Sequence, residues 1–264
     1  MALIRDRAAL LLALLVPVFA WAGLTYPGYF EVEHGFRPIF NLTDLARNLP
    51  ALGWMPAVGQ PYDLLAGEGA LAYWLALAPL ALGAAPAAAI KWLFAAGLIC
   101  ASVGMYAWAR RTFDAWSALV AAIVYVLWPF GLATVYSRGA LAEAILLAGL
   151  PWLLWLAAGQ SRRNAAAVAI SLAAAIGFQA GLALWFAAVL VVYRVGMAAL
   201  AGPLSPQSAA GRPSEAHAAP ARVWAAALAG GVLLGLLGLT PTALRHGLTG
   251  QTYVNFGAHF VQLY

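Results

Sequence analysis

Hydrophobic residues in this chain come in long unbroken runs rather than in the alternating or one-faced patterns of water-soluble elements. The runs cover 8–24, 69–84, 88–109, 115–135, 140–159, 165–178, 180–200 and 223–240, divided by short polar turns. Apolar runs of this length suit helices in a bilayer, where a backbone must satisfy its own hydrogen bonds. The pattern predicts an all-α membrane protein organised as one polytopic domain over 1–264.

Composition agrees, with 64% hydrophobic and only 9% charged residues, against about 25% charged in soluble domains. The net charge of +5 would suit nucleic acid only if the basic residues formed a concentrated face. They are spread along the chain instead and report topology, so no nucleic-acid partner is expected. The lone cysteine, Cys100, lies inside an apolar run and can build neither a disulfide framework nor a cysteine metal site.

The first run follows Arg5-Asp6-Arg7 and contains Ala20-Trp21-Ala22, which resembles a signal-peptide cleavage site. Its length and its internal proline suit a retained anchor. If all eight runs crossed the membrane, the pairs Arg110-Arg111 and Arg162-Arg163 would lie outside, against the positive-inside rule. One run must therefore stay on one side. The weakest, 69–84, is only about sixteen residues long, is preceded by Glu68 and ended by Gly83 to Pro86, and is read as a juxtamembrane or re-entrant helix.

About seven transmembrane helices follow from this, with a cytoplasmic N-terminus in the plasma membrane. Residues 25–87 become a long first external loop with interfacial helices near 43–49, 61–66 and 69–82. Residues 202–221, rich in Pro, Ser and Ala, form a flexible cytoplasmic linker, and 241–264 an external C-terminal segment. Arg5, Arg7, Arg110, Arg111, Arg162, Arg163, Arg194, Arg212 and Arg222 then face the cytoplasm. Glu31, Glu33, Asp44, Asp63, Glu68 and Glu143 face outward.

The octapeptide Tyr136-Ser137-Arg138-Gly139-Ala140-Leu141-Ala142-Glu143 holds the only charges between Trp116 and Gln160. An ion pair kept in such surroundings costs several kcal/mol unless it lines a polar cavity. Arg138 can clamp a phosphate through its planar fork, with Glu143 orienting it, and a purely structural ion pair is the alternative. In the first loop, Glu31, Glu33, His34 and Arg37 gather two carboxylates and an imidazole. A carboxylate there can deprotonate a hydroxyl or bind a divalent cation through oxygen, and the same residues also suit a solvated loop. Gln179, between Gly177 and Gly181, breaks a long apolar region at an outer turn, while Asn41-Leu42-Thr43 fits a glycosylation sequon in which Thr43 also suits a cap for a helix starting at Asp44. With Arg245, His246 and His259 after the last run, these groups are placed to meet in one external cavity.

This order of features resembles the C-type superfamily of membrane glycosyltransferases, across nearly the whole chain. Gly67-Glu68-Gly69-Ala70-Leu71-Ala72-Tyr73-Trp74-Leu75 looks like the loop helix before the second crossing of protein mannosyltransferases and lipid A aminoarabinose transferases. Arg110-Arg111 resembles the end of that crossing. A closer likeness is to bacterial multi-spanning proteins with the 6-pyruvoyl-tetrahydropterin synthase-related membrane domain. It rests on Tyr136 to Glu143, Leu150-Pro151-Trp152 and His259-Phe260-Val261. No pterin chemistry is implied.

The resemblance implies transfer of a sugar from a polyprenyl-phosphate donor on the outer face, to an acceptor the sequence does not name. Glu33 or Glu31 would act as base or metal ligand, with Glu33 preferred for its neighbour His34. Arg138 would hold the donor phosphate, Glu143 would orient Arg138, and His259 would be a lesser cavity contact. Many such enzymes carry Asp where this chain has Glu, and longer relatives continue through further helices beyond the point reached at Tyr264. That second departure leaves a rival reading, a non-catalytic membrane subunit binding lipid or a partner subunit.

Overall fold

The computed structural model describes residues 2–20, 22–26, 37–47, 70–201 and 220–246. Helices follow one another as α1 (Ala2–Ala20), α2 (Ala22–Thr25), α3 (Arg37–Arg47), α4 (Ala70–Ala81), α5 (Pro86–Ala109), α6 (Ala115–Val126) and α7 (Pro129–Ala133). A π-helical turn at Thr134–Arg138 leads into α8 (Leu141–Ala158), α9 (Arg162–Phe178), α10 (Ala180–Ala201) and α11 (Ala221–His246). No strand occurs among the described residues, and the chain has the build of an integral membrane protein.

Helices α5, α8, α10 and α11 are each long and apolar enough to cross a bilayer. The count reaches five if the bent pair formed by α6 with α7 and the π-helical turn, whose halves meet at 40°, is taken as one span rather than a re-entrant loop. The expected straight run over 115–135 is thus broken, because Pro129 removes a helical N–H and disfavours helix at Trp128, which is extended. α1 carries Arg5, Asp6 and Arg7 within its length, and α9 is only 17 residues long.

The outer surface is apolar. Val192 is 71% exposed, Ile170 70%, Trp185 69% and Val124 62%, a distribution that matches hydrocarbon rather than water outside. The interior is built from small residues and aliphatics: α1 packs on α5 and α6, α5 on α8, and α9 on α11. Contacts between α1 and α5 give their register. Tyr106 donates to the Asp6 carbonyl (3.2 Å), Ser102 to that of Ala13 (2.6 Å), and Lys91 Nζ to that of Tyr26 (2.6 Å). The two helices therefore run antiparallel.

That register defines two ends of the bundle. At one, Arg110 pairs with Asp6 (3.0 Å), Arg111 lies over Trp155 (4.3 Å), and Arg194 donates to the Ala157 carbonyl (3.0 Å). Asp114 caps α6 there by accepting from the Trp116 and Ser117 backbone at 2.8 and 3.1 Å. These hydrogen bonds favour the charged carboxylate and hold its pKa below the usual aspartate value. The other end holds Lys91, the 139–140 connection and the α9–α10 junction.

Helices α3 and α4 pack on α5, and α4 also touches α8 and α9. At 12 residues α4 is shorter than the roughly 17–25 residues that cross a hydrocarbon core. Gly83, at φ +91°, makes the turn from α4 into α5 that a side chain would strain. Two details differ from expectation. The helix expected near 43–49 starts at Arg37, and Thr43 sits inside it, donating from its hydroxyl to the Ile39 carbonyl (2.8 Å) rather than capping. The last helix continues to His246, so 241–246 is helical and Arg245 and His246 lie on its final turn. The helix expected at 61–66 falls outside the described residues.

Candidate functional site

The π-helical turn ends at Gly139, whose φ of +62° and ψ of 26° lie in the left-handed region open to glycine. There the Ala140 N–H reaches back to the Thr134 carbonyl at 3.0 Å. The reversal sets Arg138, at the end of one element, beside Glu143 in the first turn of the next. A carboxylate in a first turn is favoured by the partial positive charge of the helix N-terminus.

Both Arg138 Nη atoms donate to Glu143, Nη1 to Oε2 and Nη2 to Oε1, the latter at 2.8 Å. The pair is bidentate and held, with Glu143 15% and Arg138 33% exposed in their side chains. Gln179 completes the group. It is the extended C-cap of α9, at φ −162° and ψ 110°, and its Nε2 donates to Glu143 Oε1 at 3.1 Å. The amide oxygen Oε1 is enclosed without a hydrogen-bond donor. Turning the amide over would aim that oxygen at the carboxylate, so the orientation is set by charge.

Below this clasp lies a cleft of about 430 Å³ between α4, α5, α8 and α9. Its wall is almost wholly apolar and includes Leu75, Leu146, Trp152, Ala175 and Phe178. Leu146 stands one turn beyond Glu143 on α8, and Ala175 one turn before Gln179 on α9. The Glu143–Gln179 hydrogen bond therefore bridges α8 and α9 about one turn beyond the cleft, whose lining includes none of Arg138, Glu143 and Gln179. Trp152 donates from Nε1 to the Cys100 carbonyl (3.0 Å), tying α8 to α5 along another wall. A mostly apolar cleft is the usual form of a small-molecule site, and here the polar clasp adjoins the cleft rather than lining it.

Of the residues singled out in the sequence, Arg138, Glu143 and Gln179 come together. Arg37 opens α3. Glu31, Glu33, His34 and His259 lie outside the described residues. So do both carboxylates proposed for a divalent cation, and no three His, Cys, Asp or Glu side chains converge among the described residues. The structure adds Lys91, which the sequence reading passed over, and shows the sequon's Asn41 engaged inside the fold. Lys91, 8% exposed, straps α5 to the end of α2, and Asn41, 2% exposed, donates to Tyr73 OH at 3.1 Å between α3 and α4. A signal for Lys91 existed, since it is the single charge in the run 88–109. Comparison with protein-family models, curated proteins and solved structures gives no match for this chain.

Proposed function

We propose that this protein is a polytopic membrane glycosyltransferase that takes a sugar from a polyprenyl-phosphate donor at the outer face of the plasma membrane. The observation that carries the reading is the Arg138–Glu143–Gln179 clasp set over an apolar cleft. An amphipathic donor needs both parts, a polar contact for its head and an apolar channel for its chain. Arg138 keeps a third of its side chain exposed beside Glu143, so the guanidinium is oriented yet within reach of a phosphate. Glu33, or Glu31, acts as the base that takes the proton from the acceptor hydroxyl.

The reading places the N-terminus in the cytoplasm and counts seven crossings, α1 and α9 joining the four long helices and the bent pair. In support, α1 packs along α5 and α6, and α9 along α11. The arginine-rich end then faces the cytoplasm.

The test is donor recovery. Protein extracted in mild detergent is examined by lipid mass spectrometry, and polyprenyl phosphate is expected to copurify. Glu33→Gln is expected to abolish transfer while thermal unfolding is unchanged, and full activity in that variant sinks the assignment of the base. A non-catalytic subunit is the second reading. It is favoured by the bidentate pairing, which neutralises Arg138 within the chain. A stoichiometric partner protein with no polyprenyl lipid would establish it.

A further inference from the structure

The arginine-rich end carries a second polar assembly, independent of the clasp. Gly231 on α11 is set so close to α9 that an added Cβ would meet the Ala169 carbonyl oxygen at 2.6 Å, and at Gly235 it would meet Ile176 at 2.7 Å and the Ala173 carbonyl oxygen at 3.1 Å. Contacts that advance together along both helices mean that α9 and α11 run parallel, with both N-termini at this end. The spacing from Ala169 to Gly231 recurs from Ala173 to Gly235, and continued towards the N-termini it sets Trp224 level with Arg162. Two helix N-termini side by side bring partial positive charge and unsatisfied N–H groups to one corner.

Trp224 is 3% exposed, and its indole Nε1–H is enclosed with no hydrogen-bond acceptor. Such a group calls for an acceptor from outside the chain. The Arg194 guanidinium of α10 lies 4.2 Å over the Trp224 ring. Its Nη1 and Nη2 donate to the Ala157 carbonyl (3.0 Å) and Gln160 Oε1 (3.3 Å), both uncharged. Among the described residues no carboxylate pairs with Arg194. The acids at this end are engaged elsewhere, Asp6 with Arg110 and Asp114 with the first turn of α6. Arg194 is thus a partly exposed cation held at this end by uncharged acceptors alone, open to an anion from outside the chain.

We propose that this corner binds the phosphate of an anionic phospholipid from the surrounding bilayer. The oxyanion accepts from Arg194 and from the N-terminal turn of α9 with Arg162, and it supplies the acceptor that Trp224 Nε1 lacks. The acyl chains lie along the neighbouring face of α10, where Val191, Val192 and Val195 are exposed. A zwitterionic headgroup would bring an ammonium towards two arginines and two helix N-termini, so selection for a net negative headgroup follows.

The experiment reconstitutes the full chain in bilayers of equal phosphatidylglycerol and phosphatidylcholine, extracts it in mild detergent, and counts retained lipid by mass spectrometry. Phosphatidylglycerol is expected to be retained in preference, at one molecule per chain. Arg194→Gln is expected to reduce its retention about tenfold, and Trp224→Phe, which keeps the ring and removes the N–H, about threefold. Equal retention of the two lipids, or retention unchanged in both variants, overturns the proposal. Loss of the bound lipid to millimolar inorganic phosphate also overturns it, by showing a site for the free anion. Should Arg194→Gln fail to fold, Trp224→Phe decides alone.

Discussion

Gly230 and Gly231 are neighbours on α11, yet the structure gives them opposite fates on substitution by alanine. At Gly230 an added Cβ meets nothing within 4 Å, whereas at Gly231 it meets the backbone of Ala169, with the oxygen at 2.6 Å, Cα at 2.9 Å and the carbonyl carbon at 3.1 Å. Backbone atoms of a helix cannot rotate aside, so α9 and α11 must separate by several tenths of an ångström where they pack most extensively. Overpacking of this kind costs about 1–3 kcal/mol, while removing a helical glycine returns up to about 1 kcal/mol. Gly230→Ala receives only the second effect and is expected to be neutral or slightly stabilised. Gly231→Ala receives both, and is expected to fall about 1–3 kcal/mol below Gly230→Ala. Reversible unfolding in mixed micelles, with helicity followed by circular dichroism, measures the difference directly. Because the propensity change is shared, it cancels. Equal midpoints for the two variants would refute the close α9–α11 approach, and with it the register used to set Trp224 beside Arg162.

Further expectations concern other parts of the molecule. Glu143→Ala removes both hydrogen bonds to Arg138 and the one from Gln179, and is expected to destabilise by about 1–3 kcal/mol, less than for a fully buried pair because Arg138 is partly exposed. Adding Arg138→Gln should recover part of that loss in a double-mutant cycle. The folded-state pKa of Asp114 is lowered by its cap hydrogen bonds. Its contribution is therefore complete at neutral pH and declines as pH falls below the usual carboxylate range. Asp114→Asn is expected to flatten the acid limb of the stability profile, and an unchanged limb would count against the cap. Trp152→Phe removes the hydrogen bond to the Cys100 carbonyl, with an expected loss of about 0.5–1.5 kcal/mol and faster labelling of Cys100 by a maleimide. Labelling at the wild-type rate would show that Trp152 does not shield that wall of the cleft.

Much of the architecture follows from the chain read alone, because bilayer thickness and unsatisfied peptide groups leave apolar runs few options. Helices α5, α8 and α10 lie close to their expected bounds, α11 runs past its own to His246, and the run at 69–84 holds a helix of 12 residues. The charge pair at Arg138 and Glu143 and the break at Gln179 stand out for the same reason, since polar groups in hydrocarbon surroundings need a cause. Where local signals compete, hydrophobic pattern alone does not decide the outcome. Pro129 broke a run that hydrophobicity alone presents as continuous, and Thr43 bonded back to Ile39 inside a helix that starts before it.

Tertiary structure alone decided what these residues meet. Gln179 lies far along the chain from Glu143, and only the packing of α9 against α8 brings its amide to the carboxylate. The apolar cleft beneath them, the strap from Lys91 to Tyr26, and the seat of Arg194 on Trp224 likewise depend on how helices align. Side-chain period and span length are local quantities that a sequence carries in full. Alignment is set by where small residues such as Gly231 and Gly235 let two backbones approach, and that closeness belongs to a pair of helices rather than to either one.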